Sequence, residues 1–217
     1  MKEINVDQLE PREINNKIKR TKETKIKLKN MNADHFICAG ITKDINVKIE
    51  GSVGYYAGTM LEEAEIDIEG NAGNQIGENM HSGKIKLKGS AGDGAGQGMY
   101  GGTLIINETA GSRTGGIMKD GEIIVKKYSD LMTGVYMMGG KIIVTGDLGD
   151  SIGESMIGGT IYFSGKIEGL GKNAEISETN DKDQKYLQDL IREHELDTKS
   201  SKFKKITPKN KRPHYGD

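Results

Sequence analysis

The sequence predicts an all-β fold: a single right-handed parallel β-helix, a solenoid of about seven nineteen-residue coils, with a short helix at each terminus. Three observations predict it. Segments beginning at Glu65, Lys84, Thr103, Glu122, Lys141 and Thr160 open EIDIEG, KIKLKG, TLIINE, EIIVKK, KIIVTG and TIYFSG, a constant step of nineteen with no insertion or deletion. Two aliphatic columns keep that step. Glycines and methionines recur in further columns at the same spacing.

The first aliphatic column is Val47, Ile66, Ile85, Leu104, Ile123, Ile142 and Ile161; the second, two residues on, is Ile49, Ile68, Leu87, Ile106, Val125, Val144 and Phe163. A spacing of two puts both columns on one face of a strand, and β-branched residues suit it. Gly58, Gly77, Gly96, Gly115, Gly134 and Gly153 make one glycine column, and Gly83, Gly102, Gly121, Gly140 and Gly159 another. These positions read as corners, where φ > 0 costs glycine little. Met80, Met99, Met118, Met137 and Met156 continue the apolar lining, with Leu61 one coil earlier. A less regular first pass begins at Lys25, twenty-one residues before its successor.

Competing repeat architectures do not fit. Nineteen residues cannot hold two helices and two turns, and each glycine inside a helix costs about 1 kcal/mol. A propeller blade needs roughly 40 residues. The LxxLxLxxN signature of a leucine-rich repeat is absent. One coil cannot stand alone, because its apolar burial is too small for the backbone it must order, so the coils fold together and the two ends need covers.

Those covers are visible in the sequence. Residues 1–24 read as an N-terminal cap, with a short helix from Pro11 to about Lys22 whose Ile14 and Ile18 share a face. Residues 25–168 are the β-helix. Residues 169–217 read as a loop, a helix over 182–196 with Tyr186, Leu187, Leu190 and Ile191 as its stripe, and a basic tail. The tail carries Lys199, Lys202, Lys204, Lys205, Lys209, Lys211 and Arg212 against Asp217. It reads as a solvated, frayed end; a nucleic-acid arm is the alternative.

The outward column between the two aliphatic ones is Lys48, Asp67, Lys86, Ile105, Ile124, Ile143 and Tyr162. It turns from charged to apolar over the last four coils. Either the C-terminal helix covers that ladder or a partner does. Ile105, Ile124, Ile143 and Tyr162, with Leu187, Leu190 and Ile191, are therefore the candidate interface, open to a catalytic partner or to a second copy of the chain. Two junctions lose their glycines: Glu108 stands in the column of Gly51, Gly70 and Gly89, and Lys127 and Asp130 occupy glycine positions of the next coil. They read as drift within a tolerant repeat or as a local bulge.

Composition bounds the function. Glycine is 31 of 217 residues and aromatics only 5%, as expected for a corner-rich solenoid. A net charge of −1 gives no global field for nucleic acid or membrane. Cys38 is the single cysteine, so the chain holds no internal disulfide, which suits a reducing compartment. The first residues have no apolar core of a signal peptide, and no run of eighteen apolar residues occurs. The expectation is a cytoplasmic protein.

Little in the chain spells chemistry. GDSIG at Gly149–Gly153 matches G-x-S-x-G around Ser151, the basis of an esterase reading. That motif needs a strand-to-helix turn, whereas a strand follows here. GAGQGMYGG at Gly94–Gly102 has phosphate-loop glycines but no following helix N-terminus to hold a phosphate. His35, His81, His194 and His214 show no metal-ligand spacing. Cys38 reads as a buried, inert thiol, and one cysteine cannot hold an iron–sulfur cluster. No catalytic, cofactor-binding or metal-ligating residue is expected in this chain.

The segments GNAGNQIGENM and GSAGDGAGQGMYGG resemble the GXGXG β-helix family, over roughly residues 12–196. That family includes the C-terminal domain (domain 3) of the large (alpha) subunit of glutamate synthase and the C subunit of formylmethanofuran dehydrogenase. The flanks Arg12–Ile41 and Gly169–Leu196 look like the helix-then-strand entry and the loop-then-helix exit of the glutamate synthase domain. The resemblance implies a stand-alone, non-catalytic structural subunit of a split glutamate synthase in glutamate biosynthesis. Its partners would be a glutamine amidotransferase chain and a synthase chain carrying FMN and iron–sulfur clusters. The alternatives are the C subunit of a formylmethanofuran dehydrogenase and a component of an N-methylglutamate synthase-like oxidoreductase. An esterase using Ser151 is a further reading.

Overall fold

The computed structural model describes residues 1–211. Arg212, His214 and Asp217, named above, lie outside the described residues. The chain begins with β1 (Lys2–Asn5) and α1 (Pro11–Arg20). Eight strands follow, one per coil: β2 (Lys25–Asn32), β3 (Asn46–Ser52), β4 (Glu65–Ile68), β5 (Lys84–Leu87), β6 (Thr103–Ile106), β7 (Glu122–Val125), β8 (Lys141–Val144) and β9 (Thr160–Phe163). Then come β10 (Ala174–Glu178), α2 (Asp181–Glu193), a 3-10 turn at Ser200–Lys202 and β11 (Lys204–Pro208).

All eleven strands form one sheet in the order β1-β2-β3-β4-β5-β6-β7-β8-β9-β11-β10. From β3 to β9 the pairing is parallel in constant register: Ile66 faces Ile85, which faces Leu104, Ile123, Ile142 and Ile161 in turn. Bridges between Ala72, Ala91, Ala110, Ser129 and Leu148 carry the same step around the corner. The aliphatic columns line the bore, and Ile85, Leu104, Ile123, Ile142 and Ile161 have no solvent exposure, as do all five methionines of the repeat column. The irregular first coil takes up one of its two extra residues as a register shift between Leu28 and Met31 and the other between Thr42 and Asn46. Glu108 and Lys127 form no bulge: the register of β6 with β7 is unbroken, and the two side chains pair with each other across adjacent coils.

The glycine-rich arcs explain why one glycine column is constant and its neighbours vary. Along Arg113–Ile117 the backbone alternates, with φ of 59° at Arg113, 65° at Gly115 and 49° at Ile117. That alternation sends the N–H groups of every second residue in opposite directions. Arg113 and Ile117 donate to Leu131 and Val135 of the next coil, and Gly115 donates to Ala95 of the previous one. The arc thus gains a sheet's hydrogen bonding without being extended. Side chains at the outer two positions point to solvent, so arginine or isoleucine is accepted there. The middle position faces the bore: a Cβ on Gly134 would stand 2.6 Å from Ile161 Cδ1.

Each end is closed differently from the coils. At the first end Ile14 and Ile18 of α1 are fully buried over the bore. The Asn15 amide replaces a missing preceding coil: its Nδ2 donates to Phe36 O at 2.7 Å and its Oδ1 accepts from Cys38 N at 2.8 Å. α1 starts at Pro11 behind a capping box of Glu10 and Glu13. At the other end Ala174 and Ile206 close the core, and β11 pairs antiparallel with both β9 and β10. This corrects the sequence expectation of a frayed tail. Through Pro208 the segment is structured, because Ile206 and Phe203 bury fully and anchor the lysines around them. α2 begins at Asp181, where the Asn180 side chain accepts from Asp183 N, and ends at Glu193, short of the expected 196.

Gly134→Ala should lower stability by about 2–4 kcal/mol, through left-handed backbone strain and bore crowding. Arg113→Gly, at the outer position of the preceding arc, should change it by about 1 kcal/mol or less, because relief of strain offsets the added chain entropy. Urea midpoints followed by circular dichroism distinguish the two.

Candidate functional site

The surface of a solenoid is a set of columns, and each column is a candidate contact face. The first is the outer strand column. Ile105, Ile124, Ile143 and Tyr162 are buried, and together with Leu187, Leu190, Leu196 and Phe203 they form a second hydrophobic core outside the bore. Ile191 and Tyr186 pack against it, partly buried. Of the two readings of this ladder, cover by the C-terminal helix is the one the structure shows, and the candidate interface is corrected: the chain covers these side chains itself, and they offer no free surface to a second copy.

The cover fits for geometric reasons. Asp183 meets Tyr162 in the last coil, Tyr186 meets Glu122 two coils back, and Glu193 approaches Lys84 two coils further. The apolar part of the column, from Ile105 to Tyr162, covers three coil spacings, about 14 Å, and the ten residues from Asp183 to Glu193 rise about 15 Å. α2 is thus about as long as the apolar part of the column. Both stop where the column becomes Lys86, Asp67 and Lys48.

A polar clamp fixes the start of α2. Asp183 accepts from the Tyr162 hydroxyl at 2.7 Å, from Lys205 Nζ at 2.7 Å and from the Asn180 backbone at 2.9 Å. Burial alone opposes ionisation of Asp183. The Lys205 ammonium, the Asn180 N–H and the Tyr162 hydroxyl together outweigh it, so its pKa lies below the ordinary aspartate value. Burial, then the Asp183 carboxylate, pushes the Tyr162 hydroxyl well above its usual range. Tyr186 donates to Glu122 and lies under the Lys141 ammonium, 3.9 Å from its ring centre.

The arc face differs. Tyr136 and Met138 are 53% and 47% exposed, and Leu131 and Ile117 are 37% exposed each. Met132 and Val135 flank them in the same arc. These apolar side chains occupy columns that elsewhere hold Asn74, Asp93, Asn79 and Lys119, on a face of the coil that α2 does not touch. The sequence reading missed this patch. Its signal was the segment LMTGVYMM at 131–138, where the repeat's polar columns turn apolar.

The remaining candidates acquire surroundings. Ser151 sits at an arc position with φ 55°, and its hydroxyl donates to the neighbouring Asp150 at 3.3 Å. His35 is stacked on Tyr55 and accepts from its N–H, His81 is stacked on Tyr100, and His194 lies beside Glu193 at the end of α2. None of these three reaches Ser151. His214 lies outside the described residues. Cys38 is buried, and burial pushes its thiol up to about 12, so it stays protonated. No group of three or more His, Cys, Asp or Glu that could hold a metal occurs among the described residues, and a lone buried thiol does not fit an iron–sulfur cluster. The bore itself carries Thr114, Ser129 and Thr133, whose hydroxyls bond Gly111 O, Asp130 O and each other. Among the described residues no helix is long and apolar enough to cross a membrane.

Ile124→Asp should now detach α2 while leaving the coils intact, because a lone carboxylate under the helix costs several kcal/mol. Acid should act through Asp183. Its folded pKa is depressed, so its stabilisation is complete above the ordinary aspartate value of about 3.9 and is lost as pH falls below that value through the folded pKa. Pepsin cleavage within α2 should rise over that window in the wild type and be high and less pH-dependent in Asp183→Asn.

Comparison with sequence models of protein families gives a match to the family described as GXGXG motif, over residues 6–214. Comparison with curated proteins gives no match.

Proposed function

Because the chain belongs to the GXGXG motif family, we propose that it is the non-catalytic scaffold subunit of a split glutamate synthase. In this reading it joins a glutamine amidotransferase chain to a synthase chain that carries FMN and iron–sulfur clusters, and it works with them in the cytoplasm. Glutamine hydrolysis and reductive amination then belong to the partners, and this chain fixes their relative position.

The exposed apolar arc around Leu131, Tyr136 and Met138 carries the reading. A partner that covers it removes several aromatic and thioether side chains from water, the kind of anchor that dominates protein interfaces. The backbone beneath is held by hydrogen bonds to the coils on both sides, so the patch is presented without an ordering cost on binding. The flanks of the repeat also resemble those of the glutamate synthase domain. The esterase reading draws no support from the surroundings of Ser151, whose hydroxyl faces a carboxylate.

Tagged full-length chain recovered from its source cells should bring down an FMN and iron–sulfur synthase chain. Recovery of a molybdenum or tungsten dehydrogenase would move the scaffold to formylmethanofuran chemistry, and recovery of an N-methylglutamate synthase chain would move it to that enzyme. The double variant Leu131→Asp/Tyr136→Glu should weaken recovery roughly tenfold or more, with an unchanged circular dichroism spectrum. Undiminished recovery would remove the arc from the interface.

A further inference from the structure

We propose that the free edge of β1 and the adjoining flank of α1 form a groove that binds an extended, acidic segment of a partner polypeptide as an added strand. Among the described residues β1 is the terminal strand of the sheet and pairs only with β2. In a parallel ladder, alternate residues turn their backbone groups to the same neighbour. Val6 donates to Lys29 of β2, so Lys2 and Ile4 face β2 as well, while Glu3 and Asn5 turn their backbone N–H and C=O outward.

The side chains at that edge define the partner. Lys2 and Ile4 are in register with the bore-facing Ile26 and Leu28, and so point to the side where α1 lies. They form one wall of an open groove of about 450 Å³; Asn16, Lys17, Arg20 and Thr21 form the other. Lys2, Lys17 and Arg20 have no carboxylate partner among the described residues. Glu3, the one acid of the lining, is paired with Lys29 at 2.7 Å on the opposite face. The groove therefore presents a row of unpaired backbone groups beneath three uncompensated cations and one half-buried isoleucine. An extended segment with an acid at every second residue matches both features: its backbone pairs with the free edge and its acidic face turns to the cations, in the manner of strand addition beside a helix. The same lysines disfavour an apolar strand or a second β1, which keeps the edge from indiscriminate pairing. The sheet's other edge, β10, carries Glu175, Ile176 and Glu178, so a second copy is the competing occupant.

The inference holds whichever catalytic chains the scaffold joins, and its assay uses none of them. The probe is a fluorescein-labelled octapeptide of alternating Glu and Val with blocked ends, followed by anisotropy on the full chain. Binding is expected, weakened roughly tenfold or more by Lys17→Glu/Arg20→Glu. Glu3→Pro, which removes an outward N–H, should weaken it roughly tenfold, while Glu3→Ala stays within about twofold. Should Glu3→Pro loosen β1 itself, a peptide N-methylated at alternate residues carries the same test against the wild type and should bind at least about tenfold more weakly than the unmodified peptide. Equal binding of a Lys/Val peptide, equal binding of the N-methylated peptide, or no binding of the acidic peptide overturns the proposal. So does concentration-dependent self-association in sedimentation velocity that Lys17→Glu/Arg20→Glu abolishes, because it assigns the groove to β10 of a second copy.

Discussion

The structure depends on one constraint: the backbone N–H and C=O groups of a coil must find partners in the coil above or below, apart from those closed by short turns inside the arc, such as Gly116 N–H to Arg113 O. The strands meet it in the ordinary parallel way. The arcs meet it by alternating the sign of φ, so that the N–H groups of every second residue point in turn up and down the stack. A coil of any other length would misalign both systems at once, because strand and arc are rungs of the same ladder. That is why the step of nineteen survives from β3 to β9 without an insertion, and why the irregular coils lie at the ends: the first, where Asn15 rather than a preceding coil supplies the bonds, and the arc after β9, where Ile152 pairs with Leu170 at a step of eighteen.

The same constraint divides the residues of a coil into two kinds. Inward positions are set by a bore of fixed width and hold mostly Ile, Leu, Val, Met, Ala and a bore-facing glycine, with a few buried hydroxyls. Outward positions have only to tolerate their backbone angles, and Tyr56, Gln75, Arg113, Met132 and Ser151 all adopt φ near 60° in one column. Sequence variation therefore collects on the outside without cost to the stack. The outer strand column uses that freedom to build a second core under α2, where the Asp183 clamp holds the helix start. The arc columns use it to expose Leu131, Tyr136 and Met138.

How much of this was legible follows from where the repeat is strict. The coil length, strand faces, corner glycines and two terminal helices could be read from the columns, because the bore permits few alternatives. The apolar ladder was legible as a column, but its occupant was not. Sequence periodicity says that Ile124 points outward and that Leu187 and Leu190 share a stripe, and nothing local says that the two stripes meet. β1, β10 and β11 were invisible for a related reason. KEIN and KKITP are short and polar and carry no periodicity, and they become strands only because the sheet offers an unpaired edge. The arc patch was overlooked because single exposed apolar residues are ordinary. Only their adjacency across arcs at a fixed step makes a face.

A repeat of this kind also limits where function can reside. Catalytic constellations need different residue types converging from different directions, whereas a stacked coil presents residues in parallel rows that share one direction. Ser151 illustrates the consequence: an esterase-like spelling arises from corner glycines, and the hydroxyl it presents lies beside Asp150 in the same row. Rows are suited to recognition, because several like side chains at a regular spacing of about 4.8 Å give a partner a continuous surface. The ends are the exception. There the stack stops, the backbone edge is free, and side chains of α1 come in at an angle to the rows, so that Lys2, Lys17 and Arg20 converge as no three residues within a row can. On the proposed reading, the surfaces this chain offers to partners are thus the arc, where composition departs from the repeat, and the β1 end, where geometry does.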